Sequence, residues 1–92
     1  MLTQDDISKK LIILLTDIQN SSGYQPGNIT GSTCPLRELE GFDSMVSVAS
    51  IGELATILDI DIPNDKNIYV SKDGRRLLTV DEVAAEVCKI VN

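Results

Sequence analysis

Ninety-two residues allow one domain built around one hydrophobic core, and 42% apolar with 24% charged residues is an ordinary globular balance. A net charge of −6 repels phosphate backbones, and Tyr24, Phe42 and Tyr69 are too few aromatics for a base-stacking platform, so nucleic-acid binding is not expected. Histidine is absent, which excludes Ser–His–Asp and Cys–His catalysis and histidine-based metal sites.

Cys34 and Cys88 form no CxxC, and two thiols alone cannot complete a four-ligand metal site. A Cys34–Cys88 disulfide is possible in principle, with nothing in the sequence arguing for it. No basic, apolar leader opens the chain, and its longest aliphatic run, Leu11 to Leu15, is far short of a membrane span. The expectation is a cytoplasmic protein with reduced thiols and no membrane insertion, in which the sequons at Asn20 and Asn28 are chance matches.

The first element, Thr3 to about Asn20, reads as an amphipathic helix. Thr3 and Asp6 make a capping-box-like start, and Ile7, Leu11, Leu14, Leu15 and Ile18 recur at helical spacing. From Ser21 to Gly41 the texture changes to that of a long loop, holding Gly23, Gly27, Gly31, Gly41, Pro26 and Pro35, with only Leu36 and Leu39 suited to pin it to a core. A second helix is predicted from Asp43-Ser44 to Leu58, with Asp43 as its N-cap. At 100° per residue, Val48, Ile51, Leu54, Ala55 and Leu58 share an inner face, and Met45, Ala49, Gly52 and Thr56 lie opposite.

Asp61-Ile62-Pro63-Asn64 should stop that helix. Asp65 to Tyr69 could supply a short helical turn, and Lys72-Asp73-Gly74 reads as a tight turn. The last helix opens with Thr79 and Glu82, another capping box, and should bury Val80, Val83, Val87, Ile90 and Val91. No strand pair is evident. The expected fold is all-α: a single domain over residues 1–92, a small three- to four-helix bundle with a long loop between the first and second helices.

Seven acids (Glu38, Glu40, Asp43, Glu53, Asp59, Asp61, Asp65) and no base occupy residues 38–65, so the whole net negative charge belongs to that block. Blocks of one sign usually do no more than keep a surface soluble. This block surrounds Gly41-Phe42-Asp43-Ser44-Met45, which places a serine at the first turn of a helix after a flexible loop. Backbone N–H groups there favour a phosphate, and Asp43 offers a carboxylate to a basic partner. No base lies nearby in sequence to activate Ser44, so an acceptor role fits better than catalysis, and the chain is not expected to be an enzyme. Most Asp-Ser pairs before a helix, however, are plain caps.

Over nearly its whole length the chain resembles the acyl carrier protein family. Asp43-Ser44-Met45 matches the family's Asp-Ser-Leu-type motif, Ile62-Pro63 matches its downstream Ile-Pro, with Pro63 nineteen residues after Ser44, and Thr79-Val80 matches the opening of its last helix. The resemblance implies that Ser44 receives 4′-phosphopantetheine from coenzyme A through a magnesium-dependent phosphopantetheinyl transferase. It further implies that acyl groups ride on the arm's thiol as thioesters, and that Asp43 is part of the motif as well as the cap. Partners would be acyl-loading and acyl-processing enzymes with basic docking patches, meeting a monomer at Met45, Ala49, Gly52, Glu53 and Thr56.

Compared with carriers of fatty acid synthesis, the second helix has one acid, Glu53, and Ala49 and Thr56 stand at positions usually acidic. Ser50 stands where the family has an apolar residue lining the space for a buried acyl chain, and the connection from Pro63 to Val80 is longer than usual. These departures favour a dedicated lipid or polyketide-type pathway. The alternative from another class is an interaction module of the same fold in which Ser44 is never modified.

Overall fold

The computed structural model describes residues 2–25, 27–62 and 67–91. Four helices run through them: α1 (Gln4–Ser21), α2 (Pro35–Glu38), α3 (Ser44–Leu58) and α4 (Val80–Val91). The expected capping box opens α1: the Asp6 N–H donates to Thr3 Oγ1 at 3.1 Å, and the Thr3 N–H donates to the Asp6 carboxylate at 3.4 Å. Those bonds hold the Asp6 carboxyl below the usual carboxylate range. The helix packs on both α3 and α4, and its Ile7, Leu11 and Leu15 are fully buried between them. Truncating any one to alanine would cost about 2–5 kcal/mol.

The expected all-α class holds, while the segment between α1 and α3 differs from a loosely pinned loop. Ile29, Cys34 and Pro35 are buried there, whereas Leu36 and Leu39 are only half-buried. Its short helix α2 begins at Pro35, whose fixed φ suits a first helical position. Among the described residues the short additional helix therefore lies in this segment. Asn67 to Val70 make only a turn, and Pro63, Asn64 and Asp65, like Pro26, lie outside the described residues.

Past α3 the chain makes one antiparallel bridge, Val70 to Leu77, where no strand pair was expected. The Lys72-Asp73-Gly74 turn closes it, with the Gly74 N–H on Ser71 O at 2.9 Å and Asp73 accepting from Ser71 Oγ and the Arg75 N–H. The last helix α4 then opens with its expected box, Thr79 against Glu82. It buries Val80, Val83, Ala84 and Val87, while Ile90 and Val91 are half-covered. Both cysteines are thiols, Cys34 buried and Cys88 half-buried. Among the described residues no helix is long and apolar enough to cross a membrane.

Candidate functional site

Three elements meet just before α3. At the C-terminal end of α1, Gln19 is buried, and its side-chain amide donates to Glu40 O at 2.9 Å. Gly41 follows with φ +70°, and a Cβ there would sit 2.5 Å from the Tyr24 ring, so both backbone and space demand glycine. Phe42 then turns into the core, and Asp43 caps α3 by accepting from the Val46 N–H at 3.0 Å. Ser44 is the first helical residue, and its side chain is exposed.

The third and fourth N–H groups of this helix are accepted by Asp43, through its carboxylate and its carbonyl. The first two, on Ser44 and Met45, meet no acceptor among the described residues. An exposed hydroxyl beside two open N–H donors at the positive end of a helix is a suitable seat for a phosphate ester. Glu38, Glu40, Asp43, Glu53, Asp59 and Asp61 are all exposed, and none forms an ion pair among the described residues. Their field is therefore available to a basic partner.

Met45 (81% exposed), Ala49, Gly52, Glu53 and Thr56 all face outward as expected. Val48 is a correction. Helical spacing puts it on the inner face, yet it is 63% exposed and extends the outward apolar surface next to Met45. The inner face is instead Ser47, Ser50, Ile51, Leu54 and Leu58, with Ala55 half-buried at its edge.

Two serines can face a core because each hydroxyl is satisfied locally. Ser47 Oγ donates to Ser44 O at 2.8 Å, and Ser50 Oγ donates to Ser47 O at 2.6 Å. Ser50 has then spent its only proton, so at 2.7 Å it accepts from the Tyr69 hydroxyl. Tyr69 is completely buried, with Phe42 edge-on at a centroid distance of 5.2 Å. Burial pushes its phenol up to about 12.

Sequence reading missed Gln19, Tyr24, Ser47 and Tyr69 as supports of the site. The clue within reach was that Ser47 and Ser50 complete an i, i+3, i+4, i+7 pattern with Ile51 and Leu54. The class defined here is a four-helix domain that presents a serine at a capped, partly open helix start. No known protein family, curated protein or solved structure matches this chain.

Proposed function

We propose that this protein is an acyl carrier protein: Ser44 is the attachment point of 4′-phosphopantetheine, and acyl intermediates of a dedicated lipid or polyketide-type pathway ride on the arm. The observation that carries the reading is the start of α3, where an exposed Ser44 stands next to two N–H groups that meet no acceptor among the described residues. The acidic block, the resemblance of Asp43-Ser44-Met45 to the family motif, and the helix order support it.

In the attachment step Ser44 Oγ attacks the pantetheine-side phosphorus of the coenzyme A diphosphate. A new P–O ester bond forms, the bond to adenosine 3′,5′-bisphosphate breaks, and the serine proton passes to a base of the transferase. In this reading the base belongs to the transferase, and the chain is its substrate. Once attached, the arm provides a thiol that holds acyl groups as thioesters. The Ser44 and Met45 N–H groups stabilise the ester's charge, Asp43 fixes the helix start, and the Gly41 turn keeps the hydroxyl at the surface.

Partner enzymes meet Met45, Val48, Ala49 and Gly52 as an apolar centre and the carboxylates of Glu40, Asp43 and Glu53 as a rim. Intact mass spectrometry after incubation with coenzyme A, magnesium and a broad-specificity phosphopantetheinyl transferase tests the reading. One 4′-phosphopantetheine is expected on the natural chain and none on Ser44→Ala. An unmodified natural chain would favour the interaction-module alternative.

A further inference from the structure

We infer that the Tyr69–Ser50 pair seals the interior behind Ser44, so that the group carried at that serine stays outside the core and is short or polar rather than a long alkyl chain. This rests on the carrier reading above and narrows its cargo.

Phe42, Ser47, Ser50 and Tyr69 are all buried. They form a continuous chain of contacts: Ser47 to the Ser44 carbonyl, Ser50 to the Ser47 carbonyl, Tyr69 to Ser50, and the Phe42 ring edge-on to Tyr69. An alkyl tail gains by leaving water only where apolar space is ready to receive it. Behind the first turns of α3 that space holds an aromatic pair. Entry of a tail would displace Tyr69 and part its O–H from the Ser50 oxygen in a dry interior, where an unmade hydrogen bond is most costly.

The open space on the molecule points the same way. A cleft of about 280 Å³ between α1 and α3 mixes Ile18, Val46 and Ala49 with Asp17, Ser21 and Glu53, and most of its residues are exposed, so a group resting there would lie at the surface and not in the core. A larger groove of about 730 Å³ is built from the 67–78 segment and α4, with no contribution from α3.

The experiment uses the full chain loaded by the transferase from acetyl- or octanoyl-coenzyme A, followed by thermal unfolding and amide chemical shifts. The acetyl and octanoyl forms should melt within about 1 °C of each other. Leu54 and Tyr69 should keep the same amide shifts in both. A midpoint raised by about 4 °C or more in the octanoyl form, with Leu54 and Tyr69 shifted, would overturn the inference while leaving the carrier reading intact. Failure of both groups to attach, seen by mass, overturns the carrier reading itself and this inference with it. Tyr69→Ala opens the space, so in that variant the octanoyl form should melt above the acetyl form. Should Tyr69→Ala not fold, the natural pair of loaded forms decides alone.

Discussion

The starts of α3 and α4 face the same physical demand, four backbone N–H groups without intrahelical acceptors, and meet it differently. At α4 the protein closes all four. Val80 N–H donates to Thr33 O at 2.8 Å, Asp81 N–H to Gly31 O at 2.9 Å, Glu82 N–H to Thr79 Oγ1 at 3.3 Å and Val83 N–H to Thr79 O at 2.8 Å. The first two of these bonds also dock the α1–α3 connection, so this end holds the fold together. At α3 only Asp43 serves as acceptor among the described residues, and the first two donors belong to the exposed Ser44 and Met45. One helix start is spent on structure; the other is left available for a ligand. Both begin with a capping residue, and only the tertiary contacts separate them.

Gly31→Ala is the largest test of the closed end. Its Cβ would run into the Asp81 carboxylate, which is held by Ser8 Oγ at 2.9 Å. Moving Asp81 breaks that bond and disturbs the Gly31 carbonyl on the first turn of α4. Denaturant unfolding should show a loss of about 2 kcal/mol. A change under about 0.5 kcal/mol would mean that this end is not the clamp described.

The open end should respond less. Asp43→Ala removes the only side-chain cap of α3 and should cost about 1 kcal/mol. Ser44→Ala removes a solvated hydroxyl with no structural partner and should cost less than about 0.5 kcal/mol while abolishing attachment of the arm. If Ser44→Ala destabilises as much as Asp43→Ala, Ser44 belongs to the fold, and the contrast between the two ends fails.

Much of this was legible in the sequence. Capping boxes at Thr3 and Thr79, the Asp43 cap and the bounds of α3 follow from local chemistry that needs no tertiary contact. The orientation of α3 was legible only in part. Val48 looks like a core residue by spacing, and Ser47 and Ser50 can take the inner face only because their hydroxyls bond to the preceding turn and, for Ser50, to Tyr69. Tyr69 lies nineteen residues from Ser50, and no local pattern announces that pairing. Docking of Thr33 and Gly31 on α4 was equally hidden, because backbone carbonyls accept whatever their side chains are.

The smallest expected effect concerns charge at the closed end. Glu82 accepts from the Thr79 N–H at 3.0 Å and from Arg76 Nη1 at 2.6 Å, and these two contacts, the Thr79 bond foremost, hold its carboxyl below the usual glutamate range. Folding therefore favours the ionised form. The stability it contributes is present above the ordinary glutamate pKa and is lost as pH falls through the lowered folded value. Glu82→Gln keeps an oxygen for the Thr79 N–H but replaces the other with an NH2, giving up the charge and the bond from Arg76. Thermal midpoints of the natural chain and the variant should therefore differ most near neutral pH and converge as the solution is acidified through the carboxylate range. The gap should also shrink in high salt, since Arg76 and Glu82 are both partly solvated. A gap that stays constant from neutral to acid pH would assign the role of Glu82 to its shape and hydrogen bond, leaving the closed start of α4 held by neutral contacts alone.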